Sequence, residues 1–223
     1  MEILLIIFCL IFGLLATCAL PANEEASGGH IDLTGCALVL PENLPSYVSY
    51  AASDLAQFLS ELAESKVQVL STPDPTASVQ ILVGPEFAAQ VPGFEAPSAE
   101  SLGEQGFCLR ATALAGQPVI LAYGAALQGT RNALAELARR VREGESGPYL
   151  EAPLDLVSKP YFALRGLHFN GWAFDSPYTF RNWTESEWQR FIDGLACQQV
   201  NLLYLWPFME IIPLPLSGED RAY

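Results

Sequence analysis

Apolar positions along the chain fall in two patterns, short continuous runs and a recurrence of period near 3.6. Residues 37–40 are a short apolar run closed by Pro41, which predicts a strand. Pro45 then opens a helix, because its missing N–H would be unpaired in a first turn anyway. Tyr47, Ala51, Leu55, Phe58, Leu59 and Leu62 follow at helical spacing and make one buried stripe. The runs 67–70, 79–83, 107–111 and 119–123 read as further strands. Leu127, Arg131, Leu134, Ala138 and Val141 trace a second amphipathic helix. Arg131 is the polar exception on its face, with an alkyl stem able to pack there. This order predicts an α+β layer, a sheet carrying two helices on one face.

From residue 161 the pattern changes. An apolar run at 162–170, interrupted by Arg165, Gly166 and His168, suits a strand. Thr184-Glu185-Ser186-Glu187 is a capping box, each side chain satisfying an orphan N–H at a helix start. Trp188, Phe191, Ile192 and Leu195 then fall on one helical face. Residues 200–206 are apolar apart from Asn201, the signature of a strand buried on both faces. Strand, helix, strand makes a βαβ unit with a right-handed crossover. The overall class is α/β. Residues 158–223 hold 14 of the 24 aromatics. With the acidic, Pro-containing stretch between Gly147-Pro148 and Lys159-Pro160 read as a connector, this places a domain border near residue 158.

The N-terminus carries an address. Residues 3–15 are an apolar run of 13, short of the roughly 20 that a membrane span needs but suited to a signal peptide. Small residues follow, and cleavage after Ala22 would give residues 1–22 as the signal segment. Leu15-Ala16-Thr17-Cys18 also resembles a bacterial lipoprotein site with Cys18 acylated. Met1-Glu2 supplies none of the usual basic residues, so an uncleaved anchor stays open beside these two. The expectation is export, to a periplasmic, outer-surface or extracellular location. Any membrane attachment would run through lipidated Cys18 or the uncleaved N-terminus.

Composition narrows the chemistry. Twenty-five acids against 11 Lys plus Arg, a net charge of −14, exclude a nucleic-acid partner, since phosphate binding needs a basic face. Cys36, Cys108 and Cys197 hold no CxxC pair and read as small buried apolar residues. Gly124 and Gly129-Thr130-Arg131 have the spacing of a phosphate loop. Yet Thr stands where the loop needs Lys, so a tight strand-to-helix turn is the better reading. No G-x-S-x-G elbow or metal-spaced cluster occurs, and no cofactor or metal is implied.

Several segments carry a resemblance. Gly103-Glu104-Gln105-Gly106-Phe107-Cys108-Leu109, then Val119-Ile120-Leu121-Ala122 and the Gly-rich helix start, resemble the non-catalytic α/β domain that precedes the barrel in exo-acting glycoside hydrolases. Those are the β-N-acetylhexosaminidases of family 20 and the α-glucuronidases of families 67 and 115. Lys159-Pro160-Tyr161-Phe162-Ala163-Leu164-Arg165-Gly166-Leu167-His168 resembles the linker and first barrel strand of the hexosaminidases. Tyr204-Leu205-Trp206-Pro207 is more similar to the second strand of family 115. Two positions depart from the hexosaminidase pattern. Asn170 stands where those enzymes usually carry Asp, and Leu205-Trp206-Pro207 replaces a His-containing motif.

The resemblance implies an accessory domain at 30–157. From 158 it implies the first βαβ of a (β/α)8 barrel, truncated at residue 223. Reactive groups of such barrels sit at the C-terminal ends of strands. That rule selects His168, Asn170 and Trp172 after the first strand, and Trp206 and Glu210 after the second. Arg165 enters because the matching Arg of hexosaminidases binds sugar hydroxyls; a charge paired inside the barrel mouth is the other reading. His168 reads equally as a structural imidazole, and Asn170 as a turn former. The aromatic loop after Asn170 offers faces for pyranose rings or for packing. Asp175 and Glu210 are rim carboxylates, but the catalytic acids are implied on a later strand, so the catalytic residues stay unknown.

The expected function is the N-terminal part of an exported glycosidase acting on terminal sugars or uronic acids, with a glycan as partner and no activity in this chain alone. The rival is a catalytically silent secreted module that binds carbohydrate or protein.

Overall fold

The computed structural model describes residues 29–170 and 183–206, and the side chains of Phe169, Asn170, Leu205 and Trp206 are outside it. The signal segment, Cys18, the aromatic loop with Trp172 and Asp175, and Glu210 therefore lie outside the described residues. In chain order the strands are β1 (His30–Asp32), β2 (Ala37–Val39), β3 (Gln68–Leu70), β4 (Gln80–Val83), β5 (Phe107–Leu114) and β6 (Gln117–Gly124). They continue as β7 (Arg142–Gly144), β8 (Gly147–Glu151), β9 (Asp155–Ser158), β10 (Gly166–Asn170) and β11 (Leu202–Trp206). The helices are α1 (Ser46–Leu62), α2 (Pro85–Ala88), α3 (Ala99–Leu102), α4 (Leu127–Arg140) and α5 (Glu185–Cys197).

Six strands join in one sheet in the order β3-β2-β4-β6-β5-β9. The β3, β2, β4 and β6 ladders are parallel, whereas β5 runs antiparallel to β6 and to β9. Alternate residues of these strands face opposite ways, and both faces are covered. Leu38, Ile81, Phe107, Leu109 and Ile120 pack under α1 and α4 through Leu55, Leu59, Leu134 and Leu137. On the reverse face, Val39, Leu82, Cys108 and Leu121 meet Phe87, Val91 and Leu102, supplied by α2, α3 and the chain between them. Burial from both sides explains the continuous apolar runs of β4 and β6.

Three expectations are corrected. The two long helices do share one face, but the other is closed by α2 and α3 rather than left bare. The stretch taken as a connector is two strands. In it β8 pairs between β1 and β7 in a separate antiparallel sheet, and β9 forms the edge of the main one. Its Asp155 meets Arg110 of β5 at 2.9 Å directly across the ladder. Finally, the core stripe of α1 is Val48, Ala52, Leu55, Ala56 and Leu59. Tyr47 and Phe58 are 46% and 37% exposed and belong to a neighbouring face.

After β9, β10 and β11 pair in parallel with α5 between them. The burial on both faces expected of the strand at 200–206 is not found among its described side chains, Leu202, Leu203 and Tyr204. Leu167, Leu202 and Tyr204 are exposed, and α5 has no buried residue. Among the described residues β10 is the only strand paired with β11. Bare apolar strand edges template association. Residues 23–223 are expected to self-associate while residues 23–157 stay monomeric. Light scattering checks this, and a monodisperse monomer for the longer chain would refute it.

Candidate functional site

The β10–β11 register sets the geometry. Asn170 lies directly opposite Trp206 at the C-terminal ends of the two parallel strands. Two positions earlier, His168 faces Tyr204, their rings edge to face at 5.0 Å. His168 is exposed. The structure thus brings three sequence-selected positions, His168, Asn170 and Trp206, to one end of a two-stranded sheet. Neither strand carries a carboxylate.

The entry to α5 is fixed locally. Glu187 Oε2 accepts the Thr184 N–H at 2.6 Å, and the Glu187 N–H reaches Thr184 Oγ1 at 3.4 Å, which completes the capping box. These contacts hold the Glu187 carboxyl below its usual range. Trp183 packs edge-on against Trp188 and Phe191, each at 5.1 Å, so the helix start is anchored by rings as well as by its cap.

Arg165 sits at the opposite, N-terminal end. Its Nε donates to the Gln199 carbonyl at 3.0 Å and its Nη1 to the Phe162 carbonyl at 2.7 Å. Nη2 is buried and has no hydrogen-bond partner among the described residues. The reading that paired Arg165 with a carboxylate is not what the described residues show, since backbone oxygens hold it. Beside it, Asn201 accepts the Arg165 N–H at 2.8 Å and donates to Ala163 O at 2.8 Å and to Gln105 Oε1 at 3.3 Å. Gln105 Nε2 donates to Ala163 O at 2.7 Å, while its own carbonyl accepts from the buried Asn132 of α4 at 2.9 Å. One polar chain therefore runs from α4 through the start of β5 to the feet of β10 and β11.

Next to this chain lies a cavity of 480 Å³ between α1, α4 and α5. Tyr47, Tyr50, Asp54, Arg131, Asp193 and Cys197 are in its wall. Tyr50 donates to Asp193 at 3.1 Å, a contact that raises the phenol pKa. Burial, then the charges of Asp193 and Glu61, raise the Asp54 carboxyl. The Arg131 guanidinium is half-buried, and its pKa is lowered first by that burial and then by Arg165. This cavity adjoins the end of α5 that leads into β11, away from Asn170 and Trp206. In parallel βα arrays that end serves stability and the other end chemistry.

Sequence reasoning passed over Gln105, Asn132 and the cavity. The available signals were Asn201, a polar residue inside an apolar run, and Arg131, a cation on an apolar helical face.

The arrangement defines a class: a mixed sheet covered by helices, followed by a parallel βαβ unit. No family model matches the sequence, and no curated protein matches it. Solved structures do. A family 115 4-O-methyl-α-glucuronidase with specificity for decorated arabinogalactans shares the fold at a TM-score of 0.58 and 17% identity, over 79% of this chain and 25% of its own. Streptomyces plicatus N-acetyl-β-hexosaminidase follows at a TM-score of 0.52 and 16% identity, over 80% of this chain and 31% of its own. The chain thus has the fold of a glycoside hydrolase segment and spans less than a third of the enzymes it resembles.

Proposed function

We propose that this chain is the front part of an exported glycoside hydrolase: an accessory α/β unit joined to the first βαβ of a catalytic barrel, acting on terminal sugars or uronic acids of glycans. One observation carries the reading. The likeness to the glucuronidase extends over 79% of the chain, more than the accessory unit alone, so it takes in residues beyond β9 as well. On this reading Asn170, Trp206, His168 and Trp172 lie at the rim where substrate binds and the glycan is the partner, while Arg165, at the opposite end of β10, holds the foot of the strand rather than the sugar.

Glycoside hydrolysis needs two carboxyl groups about 5 to 9.5 Å apart, one to protonate the leaving oxygen and one to act as nucleophile or base. Since β10 and β11 supply none, those groups would come from other strands. The 223-residue chain alone is then expected to bind oligosaccharides without cleaving them. The test is an array of uronic-acid-bearing and N-acetylhexosamine-bearing glycans, alongside turnover of the matching aryl glycosides. Turnover above a contaminant control would refute the assignment of the acids elsewhere. No glycan binding, with Asn170→Ala and Trp206→Ala also silent, would refute the substrate rim.

A further inference from the structure

The cavity between α1, α4 and α5 takes a charged side chain from each helix, and the signs differ. Asp54 comes from α1, Asp193 from α5 and Arg131 from α4, and all three line the one cavity. None of them forms an ion pair with another among the described residues. Arg131 is held by a single hydrogen bond, to its chain neighbour Asn132 at 3.2 Å. The two acids, by contrast, are drawn together. Tyr50 and Asp54 stand one turn apart on α1 and so share a face. The Tyr50 hydroxyl donates to Asp193 Oδ2 at 3.1 Å, which brings the α5 carboxylate to that same face. Burial first, and then the charge of Asp193, raise the Asp54 carboxyl accordingly. No acid is among the charges that bear on Arg131, whose pKa burial lowers.

A half-buried charge without a counter-charge is costly, and this cavity holds such charges of both signs, kept apart. We propose that it binds a small zwitterion, an amino acid with an apolar side chain. Arg131 takes the carboxylate, since a guanidinium offers the planar pair of N–H donors that two carboxylate oxygens accept. Asp54 and Asp193 take the ammonium, whose three N–H groups need acceptors, and the rings of Tyr47 and Tyr50 in the same wall also attract a cation. Leu55, Leu134 and Ile192 supply apolar lining for the side chain. The volume, 480 Å³, lies in the range of small-molecule sites. A plain amine would meet Arg131 as a like charge, and a plain acid would meet the two aspartates. Only a molecule with both charges satisfies the whole wall. None of these residues belongs to the rim at Asn170 and Trp206, so the site is independent of the glycan reading.

The experiment is calorimetric titration of the 223-residue chain, near neutral pH, with L-phenylalanine, 3-phenylpropionate, 2-phenylethylamine and glycine. L-phenylalanine is expected to bind. Each analogue lacks the ammonium, the carboxylate or the apolar body, and should bind at least about tenfold more weakly. Arg131→Gln should weaken L-phenylalanine by about the same factor, while 2-phenylethylamine binds no more weakly than before. Asp54→Asn should weaken both of these ligands. Asp193 is left unaltered because it also holds Tyr50. Equal binding of 2-phenylethylamine and L-phenylalanine would make this a cation site and overturn the proposal. Equal binding of 3-phenylpropionate would overturn it in favour of an anion site, and equal binding of glycine would remove the apolar wall from recognition. No binding of L-phenylalanine, or binding unchanged in Arg131→Gln, overturns it outright. The ligand series on the unaltered chain decides the matter even where a variant fails to fold.

Discussion

Adding one methyl group at Gly129 is expected to cost about 4 kcal/mol or more, among the largest effects of any single substitution in the chain. A Cβ there would fall on the Gly106 carbonyl oxygen, and a Cβ at Gly124 would fall on the Thr130 nitrogen and the Gly129 backbone. Gly106, Gly124 and Gly129 meet where β5 begins, β6 ends and α4 begins. The obstructing atoms are backbone, so no change of rotamer relieves them. The glycines between Gly124 and Arg131 thus serve the tight passage from β6 into α4. Urea unfolding of Gly129→Ala and Gly124→Ala checks the expectation, with Gly194→Ala as the control. Gly194 lies in α5 with nothing within 4 Å of the added carbon, and there alanine should stabilise by about 0.5–1 kcal/mol. A midpoint for Gly129→Ala within error of the parent would contradict the packing described.

Asn132→Leu is the second large effect, about 2–3 kcal/mol. Asn132 is fully buried, and its Nδ2 donates to the Gln105 backbone carbonyl. Leucine keeps the volume but strands that carbonyl, and an unsatisfied buried acceptor costs about 1–3 kcal/mol before any effect on its network. The network matters because Gln105 continues to Ala163 and Asn201. Hydrogen exchange should therefore quicken in β10 and β11 of the variant, while β4 and β6 keep their protection. Equal loss across all strands would show that the polar chain does not couple the two units.

Much of the sheet was legible because its central strands are buried on both faces, which leaves largely apolar runs at residues 79–83 and 119–123. The capping box of α5 was legible for a different reason: its partners are three residues apart. What escaped depends on pairing at a distance. β1 and β7 are short and polar, and they become strands because β8 lies between them, with Tyr149 opposite both Asp32 and Arg142. Gly147-Pro148 does mark a turn, and Gly147 has φ +118 at the tip of the β7–β8 hairpin. Locally that signal is identical to a domain boundary. The rule about strand ends picked His168, Asn170 and Trp206, and the register of the two strands sets Asn170 opposite Trp206 with His168 two positions earlier. The junction was not legible, since Gln105 and Asn201 are 96 positions apart.

The two faces of the main sheet also hold one thiol each. Cys36 belongs to the layer under α1 and α4, and Cys108 to the layer closed by α2 and α3. Both are buried and free, and burial raises both thiols, Cys36 to about 11. The thiolate is the reactive form, so in the folded chain neither is available to an alkylating reagent. Each becomes available only when its own layer opens. The molecule thus contains a pair of built-in reporters, one per face, whose labelling rates would tell whether the sheet sheds its two coverings together or one before the other.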